Sequence, residues 1–228
     1  MVLPESLTTI DDAAFWNCTS PDFHSLHLPS GVTSLSSTAY NYCNNLGRTL
    51  EEGTGTITVS EENLKYEDRG ANAVITKKNQ SNPNTIVLGC QSTIIPEEGN
   101  DVVTNIGPYA FRGHSNMTSI NIHGRIIKID QGAFEDCRNL LKINSLTDDE
   151  NVSTLNIPNG VERIEGSAFY HCDSLGKDKQ DKLCIPKSIT YVASNAFSYV
   201  NNMHGVDADP DNERYEDRGC NGLFTKAD

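Results

Sequence analysis

The sequence predicts a β-rich repeat solenoid, built from short strands joined by turns and short helical or 3-10 segments. Three observations predict it. An alanine-aromatic pair recurs six times, apolar residues stand at fixed distances around each pair, and Ile-Pro or Leu-Pro steps lie a constant distance upstream. A chain of 228 residues is long enough to bury a core without metal or disulfide staples. Its apolar content of 36% is low for a globular protein and suits a thin core spread along many turns.

The alanine-aromatic pairs are Ala14-Phe15, Ala39-Tyr40, Ala110-Phe111, Ala133-Phe134, Ala168-Phe169 and Ala196-Phe197. Five residues before each ring stands Ile10, Leu35, Ile106, Ile129, Ile164 or Val192, and eight before it Leu7, Val32, Val103, Ile126, Val161 or Ile189. Three residues after it stands Cys18, Cys43, His114, Cys137, Cys172 or Val200. Twelve before it come Leu3-Pro4, Leu28-Pro29, Ile157-Pro158 and Ile185-Pro186; Ile122-His123 lacks the proline, and Ile95-Pro96 is displaced by an insertion. The repeat length falls in the leucine-rich-repeat range. A single coil cannot bury its own apolar face, so each must stack on its neighbours. Leu155-Asn156-Ile157 alternates as a half-buried strand does. The proline that follows ends the strand, because it has no N–H to give the next ladder bond.

A longer unit stands apart from this pattern. Asn63, Tyr66-Glu67-Asp68-Arg69-Gly70, Asn72, Ile75 and Thr76-Lys77 recur as Asn212, Tyr215-Glu216-Asp217-Arg218-Gly219, Asn221, Phe224 and Thr225-Lys226. Each copy reads as a strand, an Asn/Tyr-bearing turn and a hairpin. The chain is therefore expected to be one solenoid over 1–228. Short repeats cover about 1–50 and 96–203, and longer coils about 57–95 and 206–228, the last stopping part-way. Uncapped ends lead us to expect a piece of a longer protein.

The run from Leu155-Asn156-Ile157-Pro158 through Ala168-Phe169-Tyr170-His171-Cys172 resembles the BspA-type leucine-rich repeat, also called the Treponema pallidum type. The longer units, with Asp209-Pro210-Asp211-Asn212 and Leu88-Gly89-Cys90, resemble interrupting coils of gut Bacteroides members. The resemblance implies a right-handed solenoid in secreted or surface-attached bacterial proteins, some of them adhesins for host or bacterial partners. It brings no shared catalytic residues.

The cysteines invite a redox or metal reading, but four of them share one repeat position with His114 and Val200. A position that accepts valine is a packing position first, and no C-x-x-C spacing occurs. Buried free thiols are expected ahead of Cys18–Cys43 and Cys137–Cys172 bridges, because a stacked ladder rarely offers disulfide geometry. Asp207, Asp209 and Asp211 open like a calcium loop, but Asn212 and Arg218 stand where its glycine and glutamate belong. The histidines show no metal spacing, and phosphate-loop and hydrolase-elbow sequences are absent. The N-x-[ST] sequences at Asn17, Asn116 and Asn151 are most simply chance in a bacterial protein. No cofactor and no enzyme activity are expected.

A net charge of −13 with no basic cluster argues against nucleic acid. No run is apolar enough to enter a membrane as a helix. The expected function is binding of a host or bacterial surface protein or glycan by a monomer at the cell surface or secreted; the alternative is a spacer presenting another domain. A partner would meet the outward residues of the strand before the proline: His27, Asn121 and Asn156, with Ser25, Ser119, Thr154 and Lys182 two upstream. Cys184 falls in the same row, so either it is exposed or the register slips.

Overall fold

The computed structural model describes residues 3–50, 53–98, 102–144, 155–177, 182–219 and 222–226. Successive short coils repeat one course. A strand of two or three residues leads into a proline turn, a second short strand follows, and the alanine-aromatic turn then sends the chain back. The proline turn closes by a bond from the residue eight before the ring: Leu7 N–H donates to Pro4 O, Val32 to Pro29, Val161 to Pro158 and Ile189 to Pro186. His123 O substitutes where proline is missing, accepting from Ile126 N–H. Val103 N–H still reaches Pro96 O although an insertion separates the two residues.

Two ladders result, parallel from coil to coil and antiparallel only where Tyr66–Glu67, Val74–Thr76 and Thr85–Leu88 follow one another. The first joins the strands that precede the proline: Leu26–Leu28 with Ile57–Val59, Ser119–Ile120 with Lys142–Ile143, and Leu183–Ile185 with Val206–Ala208. Leu26–Leu28 is buried, exposed, buried in turn, as the sequence alternation predicts. The second ladder joins Thr9–Ile10 to Ser34–Leu35. Beyond these it gathers seven strands, from Tyr66–Glu67 through Val74–Thr76, Thr85–Leu88, Asn105–Ile106, Lys128–Ile129 and Arg163–Ile164 to Tyr191–Val192.

The expected short helical or 3-10 segments are not found among the described residues, where turns take their place. The alanine-aromatic segment alternates bonds within its own turns, such as Arg112 N–H to Tyr109 O and His114 N–H to Phe111 O, with bonds to the next coil. Phe15, Phe111, Phe134 and Phe169 each donate N–H to the alanine carbonyl one coil on, at 2.8 Å. Two residues after the ring, Asn17, Tyr42, Gly113, Asp136 and His171 do the same to the next coil, at 2.8–3.1 Å. All five adopt positive φ, between 55° and 76°. For the four that are not glycine this conformation costs on the order of 1 kcal/mol each, which the bond between coils offsets.

Alanine fits because only a small side chain fits between stacked backbones; Ala39, Ala133, Ala168 and Ala196 are fully buried. The rings behind them form columns. Phe111, Phe134, Phe169 and Phe197 stack at 5.0–5.1 Å, and Phe15 on Tyr40 at 4.9 Å. Burying each ring is worth about 2–3 kcal/mol. The thiols line the same interior: Cys43, Cys137 and Cys172 each donate Sγ–H to the carbonyl of the previous coil's ring residue, at 3.0–3.3 Å. The described cysteines are unbridged, and burial pushes Cys43 up to about 12.

The longer units replace backbone pairing with side chains. Asn63 is fully buried; its Nδ2 donates to Pro29 O and Val32 O, and its Oδ1 accepts from Lys65 and Tyr66 N–H. The Tyr66 hydroxyl accepts the N–H of Leu35, ending the two-stranded part of the second ladder. Asp68 takes the N–H groups of Val59 and Gly70. The second copy repeats every one of these: Asn212 bonds Pro186, Ile189, Arg214 and Tyr215, Tyr215 takes Val192 N–H, and Asp217 takes Ala208 and Gly219. The expected hairpin is present in the first copy, where Val74–Thr76 turns through residues 79–84 to pair with Thr85–Leu88. A further antiparallel pair precedes it and recurs in the second copy, Tyr66–Glu67 with Val74–Thr76 and Tyr215–Glu216 with Phe224–Thr225. The buried core correspondingly falls into two clusters, which meet at the first longer unit.

Candidate functional site

The first ladder is interrupted between Ile57–Val59 and Ser119–Ile120. Here the chain runs through Gln91–Ile95, which forms no strand. The reason lies in the hairpin before it. Asn72, at φ 56°, accepts Ile57 N–H and donates to Gly55 O and to the Ser92 hydroxyl. Ladder bonding on this side is thus diverted into two side chains, Ile57 N–H to Asn72 and Val59 N–H to Asp68.

The interruption leaves a groove of about 570 Å³, lined on one side by Gln91, Ser92 and Ile94 and on the other by Ser119, Asn121 and Asn144. Ile94 is 76% exposed. Ser119 and Asn121 are exposed, and neither side chain makes a hydrogen bond among the described residues. His123 forms part of the wall. Its Nε2 lies 2.9 Å from Pro96 O while Nδ1 accepts Arg125 N–H, which fixes the neutral tautomer with the proton on Nε2. Burial lowers its pKa, opposed by the Pro96 bond and by Glu97.

The outward residues expected to form one row are only partly brought together. Ser119 and Asn121 share the groove. Asn156 does not follow Asn121 directly, because Lys142–Ile143 forms a rung between them, pairing with Ser119–Ile120 and bridging to Leu155. Asn144 holds this extra rung, accepting Ile122 N–H and donating to Asn156 O. Asn156 then faces Cys184 across a bridge. Lys182 is paired with Asp207 at 3.0 Å. His27 bonds Thr58 at 2.9 Å and Ser25 accepts Thr56 N–H, on the far side of the interruption. Thr154 lies outside the described residues. The register at Cys184 does not slip: Leu183 and Ile185 are buried and Cys184 is half-exposed.

A second cluster has no counterpart in the sequence reading. On the alanine-aromatic edge the Arg112 guanidinium lies over the rings of Trp16, Tyr42 and Tyr109 at 5.2–5.5 Å and pairs with Glu135 at 2.8 Å. Tyr42 reaches across Gly113 to donate to Asp136 at 2.5 Å. Burial, then that bond, pushes the Tyr42 hydroxyl up to about 12. Burial also acts on Asp136, but the bonds from Tyr42 and Arg138 outweigh it and hold the carboxyl below its usual range. The sequence carries no shared chemical signal for it, because the residues two after each ring are chemically unlike and have only a backbone conformation in common.

No three His, Cys, Asp or Glu residues converge as metal ligands among the described residues. Asp209 instead accepts Asp211 N–H in a local turn. No described helix is long and apolar enough to cross a membrane.

The family model of the BspA type leucine rich repeat region matches in six copies, over residues 1–60, 88–152 and 144–218. Among solved structures, a leucine rich cell surface protein from Faecalibacterium prausnitzii A2-165 is similar over 90% of this chain, at 21% identity and a TM-score of 0.54. The chain spans about half the length of that protein, covering 52% of it. A leucine-rich repeat protein from Eubacterium ventriosum ATCC 27560 is similar over 56% of this chain and 35% of its own, at 22% identity and a TM-score of 0.41. None of the curated proteins matches the sequence.

Proposed function

Because the chain belongs to the BspA-type leucine-rich-repeat family, we propose that it is a recognition module of a bacterial cell-surface or secreted protein. It takes a surface protein or glycan of a host or another bacterium, and it has no catalytic role of its own. The observation that carries this reading is the groove at the interrupted ladder. Its polar side offers the hydroxyl of Ser119 and the amide of Asn121, and Ile94 supplies an exposed apolar wall. Uncommitted polar groups beside an apolar contact are what orient and hold an extended ligand. With a net charge of −13, neutral or basic partners approach more readily than acidic ones.

The test is a panel of matrix proteins and glycans probed with the protein and with its Asn121→Arg variant. Binding that falls at least tenfold in the variant, with an unchanged circular dichroism spectrum, supports the groove. Equal binding by both proteins removes it as the site. The second reading, a stiff spacer, is favoured by the unbroken Phe111–Phe197 ring column. It predicts that no member of the panel is retained.

A further inference from the structure

The interrupted ladder leaves one strand edge open in the middle of the solenoid. Thr118 and Ile120 turn their carbonyls to the coil that follows, accepting the N–H groups of Lys142 and Asn144. Along a strand the backbone groups of neighbouring residues point to opposite sides. Those of Ser119 and Asn121 therefore point the other way, into the groove. They have no hydrogen-bond partner among the described residues, and neither has the N–H of His123.

An intact step of the same ladder shows what fits such an edge. There Leu26–Leu28 pairs in parallel with Ile57–Val59; Leu26 N–H donates to Thr56 O, and Ser60 N–H donates to Leu28 O. Ser119, Asn121 and His123 stand at the places of Thr56, Thr58 and Ser60. The chain that would complete their step, residues 93–95, is tied back towards the hairpin before it. Ile94 N–H donates to Ala71 O, and the Thr93 hydroxyl to Asn72 O. The groove of about 570 Å³ opens between these two segments.

We infer that the Ser119–Asn121 edge is a strand-addition site for an extended polypeptide. This rests on the groove being the recognition site and narrows its ligand to a peptide. Donors and acceptors that alternate along an extended backbone match another backbone, whose pairing supplies affinity while alternate side chains supply selectivity. The occupant runs parallel to Ser119–Ile120, with two apolar residues separated by a polar one, as in Leu26-His27-Leu28. The N–H groups of its apolar residues meet Ser119 O and Asn121 O, and their carbonyls take the N–H groups of Asn121 and His123. Its apolar side chains lie beside Ile95, Ile120 and Ile122, and the polar one faces outward near Ile94. A net charge of −13 and Glu97 in the groove wall favour lysine or arginine at its ends.

The probe is a synthetic peptide with the sequence of residues 23–30 and a lysine added at each end, titrated into the whole protein. Saturable one-to-one binding by calorimetry is expected, with slowed amide exchange at Asn121 and His123. Methylating the backbone nitrogens of the two leucines should weaken binding at least tenfold. The same modification of the serine and histidine just before each leucine, whose N–H groups point away, should leave it nearly unchanged. Absent binding, or equal loss with both modified peptides, overturns strand addition. If Asn121→Arg abolishes binding of a panel glycan that leaves exchange at Asn121 and His123 unaltered, the groove stands and its peptide specificity falls. If Asn121→Arg alters neither peptide nor panel binding, the groove falls with it. A dimer in sedimentation that the peptide fails to dissociate also overturns the inference, since the edge would then join two copies of the chain.

Discussion

Short coils and longer units solve one problem, joining a coil to its neighbour, by different chemistry. Between short coils the joint is backbone and carbon: ladder bonds, alanine contacts and rings stacked at 5 Å. At the longer units it is a few polar side chains, each making several bonds; Asn63 alone makes four. The carbon joint spreads its energy over many small contacts and tolerates exchange, so cysteine, histidine and valine can share one position. The polar joint concentrates energy in groups that must all be present, since a buried donor or acceptor without a partner costs about 1–3 kcal/mol. That is why the longer unit repeats almost letter for letter while the short repeat drifts.

Four measurements break or sharpen this contrast. Phe134→Ala empties the middle of the ring column and should destabilise the protein by about 4 kcal/mol in urea unfolding. A loss under 1 kcal/mol would mean the column contributes little. Next comes acid. His114 is fully buried at the cysteine position, with Nδ1 lacking a partner, and burial lowers its pKa to about 4. The unfolded chain takes up that proton near the ordinary value of 6.5, while the folded chain refuses it until about 4. Stability should therefore fall as the pH drops from about 6.5 to about 4, by roughly 3 kcal/mol, and level off below. His114→Cys should remove this slope, and identical acid profiles for the two proteins would contradict the assignment.

Asn63→Ala strips the N–H groups of Lys65 and Tyr66 and the carbonyls of Pro29 and Val32 of their partner. A loss of about 3 kcal/mol is expected, read from the urea midpoint. Should Asn63→Ala prove as mild as an ordinary surface change, the polar joint would not hold the coils. The smallest effect belongs to Tyr66→Phe, which leaves Leu35 N–H without its acceptor and should cost about 1 kcal/mol. Faster amide exchange at Leu35 alone would localise it.

The short repeat was legible because one environment recurs and selects one kind of side chain; alanine, ring and thiol could be aligned by eye. The longer unit was legible as a duplication, though its lattice was not, since nothing in the letters says that Tyr66 serves Leu35. The positive-φ position escaped because asparagine, tyrosine, glycine, aspartate and histidine share a conformation rather than a chemistry. At the candidate site, Ser119 and Asn121 followed from strand alternation. Ile94 and Gln91 did not, because they line the groove only where Asn72 breaks the ladder. Asn144 stayed hidden because Lys142–Ile143 is too short to announce itself as an extra rung.

The bond from Tyr42 N–H to Arg112 O has a geometric consequence. At this turn the second and third short coils touch directly, with nothing of the longer unit between them. On the ladder side the same two coils are held apart by Tyr66–Glu67, Val74–Thr76 and Thr85–Leu88. Three strands at about 4.8 Å each add about 14 Å to one side and none to the other. The first longer unit is therefore a wedge, and the solenoid axis must bend around the Tyr42–Arg112 pivot. The number and spacing of such wedges, rather than the short coils, would set the curvature of a longer stack.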